Sequence, residues 1–294
     1  MGRRRIEDVL EILESGDLGE IDGVAENARE FYERPEEAEE SGVGWSILAD
    51  WMLRAYKTGG FNSVIVYGKQ GAGKSVYAIK VVYDLLRRLG VVPASSNSSI
   101  VFKRYMVFSA SHFIGKIKNA RGARLPAVIW DDAGVHGGSY LFFTDVFLAK
   151  ALGDLFRVAR TRVANIIFTT PSPRDLLKPF RSYDTIIVYV HEMDEVWSRA
   201  HIYKMRLLPS GDVRVQKKAM EDFRRRLRTY QDYIKVRDKY VDEAIEALEE
   251  LMLVKYAERA LKRAKLFERA ARLGSDRGLG AWFVAQDQGY SQDD

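Results

Sequence analysis

The 294 residues are 47% apolar and 30% charged, with no cysteine and a formal net charge of +5. A chain of this length can bury a substantial core, and the missing thiols exclude disulfides, thiolate metal sites and cysteine nucleophiles. No apolar run reaches the ~18 residues of a bilayer span, and Met1-Gly2-Arg3-Arg4-Arg5 leads into mixed acidic and apolar residues rather than a signal core, so a cytoplasmic protein with no membrane partner is expected.

Charge is unevenly placed. Residues 1–60 hold 15 acidic and 7 basic side chains, whereas residues 61–216 hold 22 basic and 11 acidic. A basic middle suits a polyanion, a triphosphate or a nucleic acid, and equally an ordinary basic surface. Abundant charge with few Asn and Gln fits a thermophile.

In chain order, residues 6–40 read as short acidic helices with too few apolar residues for a core, broken at Pro35 and the acidic run that follows. Residues 1–44 are therefore expected to be an acidic helical extension. A compact apolar helix over 45–53 follows, stopped by Gly59-Gly60. Short apolar runs then alternate with helices, the pattern of a parallel sheet covered on both faces. Strands are predicted at 63–67, 100–108, 127–130, 165–169 and 185–190, with helices at 75–89, 111–120 and 142–160. A hairpin is predicted to join 200–207 with 213–216 through Leu208-Pro209-Ser210-Gly211-Asp212. Residues 219–273 read as two long charged helices ending at Gly274, so the expected core is 45–216 and the expected helical module is 217–294, with 287–294 a polar tail.

The strongest signal is Gly68-Lys69-Gln70-Gly71-Ala72-Gly73-Lys74-Ser75, set directly between an apolar strand and an apolar-periodic helix that opens with Val76. Glycines free the backbone to turn successive N–H groups inward, and the helix N-terminus adds its positive end. The segment from Gly68 to Val76 is thus expected to cradle a triphosphate. Lys74 is expected on the β- and γ-phosphates, and Ser75 on Mg²⁺.

Asp131-Asp132 ends the buried-type strand Pro126-Ala127-Val128-Ile129-Trp130, at the edge of a parallel sheet where ligands bind. Asp131 is the expected second metal ligand and Asp132 the group that orients and polarises an attacking water. Threonines close the strand Asn165-Ile166-Ile167-Phe168-Thr169-Thr170, and Thr170 is the preferred sensor of the γ-phosphate. Arg157, Arg160 and Arg162 lie where an arginine directed at a neighbouring subunit could emerge, or where a helix C-terminus simply favours cations.

With these motifs in this order, residues 45–190 resemble the additional-strand P-loop ATPases. Within them the chain is similar to the AAA-like, zonula-occludens-toxin-like and FtsK/HerA-like ATPases of mobile genetic elements, including archaeal viruses and plasmids. The resemblance implies an α/β P-loop NTPase three-layer sandwich with a mostly parallel five-stranded core sheet, in which the acidic strand neighbours the sensor strand. It also implies ring formation and work on DNA. Two departures are Asp132 where Glu is more usual and Pro171 after the sensor threonine.

The run Phe223-Arg224-Arg225-Arg226-Leu227-Arg228-Thr229-Tyr230, on a predicted helix, has a composition suited to phosphate contacts or to a solvated face stitched by i,i+4 pairs such as Asp222 with Arg226. His112, His136, His191 and His201 show no metal-ligand spacing. His136 belongs to the glycine-rich segment 134–138. The functional expectation is an ATPase using ATP and Mg²⁺, acting on DNA as a homo-oligomeric motor. The competing expectation is a slow nucleotide-dependent DNA-binding switch or replication initiator.

Overall fold

The computed structural model describes residues 45–93, 96–136, 146–181, 185–209 and 213–275. The expected extension 1–44, the start of the helix predicted at 142–160, the remainder of the glycine-rich segment after His136, most of the hairpin turn and the tail 287–294 lie outside the described residues.

The chain is mixed α/β. Helix α1 (Ile47–Lys57) leads to β1 (Asn62–Tyr67), then α2 (Lys74–Arg88), α3 (Ser99–Arg104), β2 (Met106–Val107), α4 (Ala110–Asn119), β3 (Val128–Trp130) and α5 (Ala133–His136). Next come α6 (Val146–Ala159), β4 (Asn165–Thr170), a 3₁₀ turn (Pro173–Asp175), α7 (Lys178–Arg181), β5 (Thr185–Glu192), β6 (Trp197–Leu207), β7 (Val213–Arg224) and α8 (Tyr230–Ser275).

The sheet has seven strands rather than five, in the order β2-β3-β4-β1-β5-β6-β7. The five strands from β2 to β5 run parallel, and β6 and β7 continue the sheet antiparallel beyond β5. The predicted hairpin is therefore part of the same sheet. Its second strand extends to Arg224 because Ala219, Glu221 and Phe223 are buried while the residues between them turn outward. This two-residue period is hidden in a segment whose outward positions are mostly charged or polar.

Further expectations change. The strand predicted at 100–108 is helix α3 followed by only two strand residues, with Val101 and Phe102 buried. A short apolar run fits a buried helix as well as a strand. The two helices predicted over 219–273 are one, α8, of 46 residues, since no Gly or Pro within it precedes Gly274, next to its last residue. The basic-aromatic run predicted on a helix instead ends β7 and forms the connection to α8, and only Tyr230 is helical. The described residues fall into two compact units, one through Val236 and one from Arg237, so the expected division at 216 cuts a strand.

Alternation assigns the strand residues to faces. Ile65, Val128, Trp130, Ile166 and Phe168 enter one cluster with Phe113, Phe156 and Phe180. Trp130 stacks on Phe113 at 5.0 Å, as does Phe168 on Phe180. The intervening residues, among them Ile129, Ile167 and Thr169, belong to the opposite face, which α1 and α2 cover.

Glu221 of β7 holds α1 in place from within the core. It accepts hydrogen bonds from the backbone N–H groups of Ile47 (2.7 Å) and Leu48 (3.1 Å), from Ser46 Oγ (3.2 Å) and from Tyr77 OH (2.7 Å). A carboxylate at a helix N-terminus satisfies donors that have no intrahelical partner. Burial nevertheless pushes its pKa up to about 7, against those hydrogen bonds, which favour the anion. The unfolded chain ionises first, near the ordinary 4.5. Glu221 thus contributes stability that is full below pH 4.5 and is lost as pH rises through about 7. Denaturant unfolding of wild type and Glu221→Gln across that window should show the wild type losing stability relative to the variant as pH rises. A difference that stays flat contradicts this assignment.

Candidate functional site

Strand β1 ends at Tyr67, and the chain must then reverse to start α2 at Lys74 within six residues. Glycine makes this possible. Gly68, Gly71 and Gly73 have φ of +148°, +85° and +93°. A Cβ on Gly68 would lie 2.1 Å from the Val190 carbonyl oxygen, so β5 passes too close for any side chain there. Gly73 is the N-cap of α2 and offers no side-chain hydrogen bond, which leaves the first-turn amides of a 15-residue helix without a side-chain acceptor at the cap.

Lys74 folds back across this loop. Its ammonium donates to the carbonyl oxygens of Gly68 (3.0 Å) and Lys69 (3.1 Å), while the side chain is almost wholly buried. Two further residues brace the loop from the antiparallel strands. Ser198 Oγ of β6 donates to the Ala72 carbonyl at 2.9 Å. Arg225, just past β7, reaches the Gly71 carbonyl (3.4 Å), the Asp194 carbonyl (2.8 Å) and Glu192 Oε1 (3.2 Å).

The parallel register pairs Tyr67 with Thr170 and Trp130 with Phe168, which brings the end of β3 beside the loop. Asp131 is fully buried there. Ser75 Oγ (2.7 Å) and Thr169 Oγ1 (2.6 Å) donate to its Oδ1, and Tyr233 OH (2.7 Å) donates to its Oδ2. Burial pushes the Asp131 pKa up, the neighbouring Asp132 charge adds to the rise, and the three hydroxyl donors oppose it. Asp132 sits at φ +47°, a left-handed conformation that Asp tolerates better than most residues. Its N–H donates to Thr169 Oγ1 at 2.9 Å, so one threonine hydroxyl bridges the two aspartates.

Loop, Lys74, Ser75, Asp131 and Asp132 are therefore brought together, and Thr169 joins them. Thr170 does not. Its hydroxyl is on the Phe168 face, where it meets the Ser172 carbonyl (2.9 Å) and Asp175 Oδ2 (3.2 Å). Arg157, Arg160 and Arg162 precede Asn165, the end of β4 that pairs with Asn62, whereas the glycine loop follows Tyr67 at the opposite sheet edge. Arg157 pairs with Asp154 at 3.0 Å and Arg160 is exposed. Sequence reasoning missed Tyr233 and Ser198, and singled out Arg225 only as part of a basic run. Tyr233 is 102 positions from its carboxylate, with no local pattern to mark it. No group of three or more His, Cys, Asp or Glu side chains able to hold a metal ion occurs among the described residues.

Chemically, the arrangement offers main-chain amides and an ammonium for an anion, and hard oxygen donors from Ser75 and Asp131 for a divalent cation. No family model matches the sequence. The chain is 26% identical over 218 residues to the uncharacterized protein B-251 of Sulfolobus spindle-shape virus 1, covering 71% of this chain and 86% of that one. It is also 26% identical over 210 residues to the uncharacterized protein ORF286 of Acidianus two-tailed virus, covering 67% of each. Among solved structures, the flagellar accessory protein FlaH from Methanocaldococcus jannaschii aligns with a TM-score of 0.28 and 16% identity, over 57% of this chain and 95% of that one. No helix among the described residues is long and apolar enough to cross a membrane.

Gly68→Ala should destabilise the chain by more than about 3 kcal/mol, because the new Cβ meets backbone rather than a side chain that can yield. Gly59→Ala, also at positive φ but facing open space, should cost about 1 kcal/mol. Urea midpoints compare the two, and equal losses would contradict the packing of β5 on the loop.

Proposed function

We propose that this chain binds MgATP in the 68–76 loop and hydrolyses it, as a P-loop NTPase with a three-layer α/β core. The observation that carries this reading is the hydroxyl of Ser75, at the start of α2, lying 2.7 Å from the buried carboxylate of Asp131 at the end of β3. Residues 56 apart meet there as the two oxygen ligands that a nucleotide-bound Mg²⁺ requires. The placement of β4 between β1 and β3 supports the additional-strand arrangement.

The residues present fit the ligand. Three positive-φ glycines put no side chain on the loop at positions 68, 71 and 73. Its amides and Lys74 are donors for phosphate oxygens, and Ser75 and Asp131 are oxygen donors suited to Mg²⁺. When bound, the metal supplies charge neutralisation at the phosphate oxygens. Lys74, whose ammonium donates to the Gly68 and Lys69 carbonyls, would supply its charge to the β- and γ-phosphates. Thr169 fixes the angle between the two aspartates, leaving Asp131 toward the metal and Asp132 as the carboxylate that takes a proton from the attacking water. Thr169 replaces Thr170 in the sensor role. Arg160 and Arg162 precede β4 at the far sheet edge, and the role proposed for them is to reach the nucleotide of an adjacent copy in a homo-oligomeric ring.

The proposed work is on DNA in the cytoplasm, as a motor or remodelling enzyme of an archaeal mobile element. The 22 basic against 11 acidic residues over 61–216 favour a polyanionic partner, and viral relatives agree with a mobile element as source. Steady-state ATPase assays of the full chain, with and without single- and double-stranded DNA, provide the test. Wild type should hydrolyse ATP in a magnesium-dependent manner and faster with DNA. Lys74→Ala should lose about 100-fold or more in kcat, and Thr169→Val about 10-fold or more, with Thr170→Val much closer to wild type. Absence of magnesium-dependent turnover in wild type overturns the hydrolase reading. Turnover indifferent to DNA overturns the motor, and slow turnover with ATP-dependent assembly on DNA favours the switch.

A further inference from the structure

We infer that Tyr233 is a positioning residue for Asp131, and that through it the first turn of α8 senses whether the metal is in place. The inference rests on the reading of Asp131 as a metal ligand.

The geometry is specific. The Tyr233 phenol is buried and donates to Asp131 Oδ2 at 2.7 Å. The other carboxylate oxygen, Oδ1, takes both Ser75 and Thr169. Tyr233 therefore fixes the plane of the carboxylate, since tilting it out of that plane would break the phenol bond. A hydroxyl held against a ligating carboxylate sets its orientation and basicity, as outer-shell partners of metal ligands do.

The ring itself is held from two sides. Phe102 of α3 packs edge-on at 6.0 Å, and Tyr230 lies at 6.2 Å. The Tyr233 N–H donates to the Thr229 carbonyl, and the Thr229 hydroxyl meets Ser98 Oγ at 2.9 Å, just before α3. The start of α8 is thus fastened both to α3 and to the site. Were Ser75 Oγ to leave Oδ1 for a metal ion, the carboxylate would keep Thr169 and Tyr233 as its partners. Reciprocity follows: whatever favours one placement of the α8 first turn alters metal affinity by the same factor.

The test uses the full chain and Tyr233→Phe, which keeps the ring and removes the hydroxyl. Calorimetric titration with ATP in EDTA and then with increasing Mg²⁺ separates nucleotide from metal. The variant should bind metal-free ATP as wild type does, yet need roughly tenfold more Mg²⁺ to reach half of the metal-dependent gain. Hydrogen exchange at residues 230–236 should change when Mg²⁺ is added to ATP-bound wild type and not in the variant. An unchanged Mg²⁺ requirement overturns the inference, as does an equal loss of ATP affinity with and without metal, which marks a packing role. The wild-type exchange arm stands even if the variant does not fold, and no change there on adding Mg²⁺ overturns it too. Wild type that binds ATP without any gain from Mg²⁺, or does not bind it, fails the nucleotide reading itself.

Discussion

A carboxylate taken wholly out of water must be matched by donors or give up its charge. Asp131 is such a group, and the architecture around it can be understood as the means of supplying three hydroxyls. One comes from the start of α2, one from the end of β4 and one from the first turn of α8. These elements are far apart in sequence, and the insertion of β4 between β1 and β3 is what brings a threonine to the aspartate. The strand order and the carboxylate's surroundings are thus the same fact seen at two scales. Burial and the Asp132 charge raise the Asp131 pKa while the hydroxyls oppose that rise.

The antiparallel extension has a matching purpose. β6 and β7 stand on the far side of β5 from β1, yet they reach the glycine loop through Ser198 and Arg225 and hold α1 through Glu221. Phe223 lies under Gly73, 3.3 Å from where a Cβ would sit, so β7 also closes the loop from below. Ring packing between Phe223 and Tyr77 at 5.1 Å joins that floor to α2. The loop is accordingly held by backbone close approach at Gly68 and by side chains from two added strands, leaving Lys69, Gln70 and Gly71 exposed.

The glycine loop and the apolar strands could be read from residues alone because their signals are local. Three glycines at fixed offsets and runs such as Val64-Ile65-Val66 require no distant partner to be recognised. Asp131 was legible for the same reason, as a charge ending a buried run. What the sequence concealed depends on faces and on partners. Thr169 and Thr170 are equivalent as residues, and only the register that sets Trp130 beside Phe168 turns Thr169 toward Asp131. The second half of β7 was hidden because a strand with one outward face can carry Lys218 and Asp222 without penalty, so its charges resembled a solvated helix. Tyr233 had no signal at all, since its partner is reached only after the whole sheet has formed.

The central claim is that backbone amides, Lys74, Ser75 and Asp131 together hold one magnesium nucleotide. Equilibrium dialysis of the full chain against labelled ATP, in Mg²⁺ and in EDTA, tests it without reliance on turnover, DNA or assembly. Saturation at one ATP per chain, tighter with Mg²⁺ and with that metal-dependent gain abolished by Asp131→Ala, is the predicted result. A folded chain that retains no ATP in either buffer, or one whose Mg²⁺ dependence survives the loss of Asp131, would contradict the account.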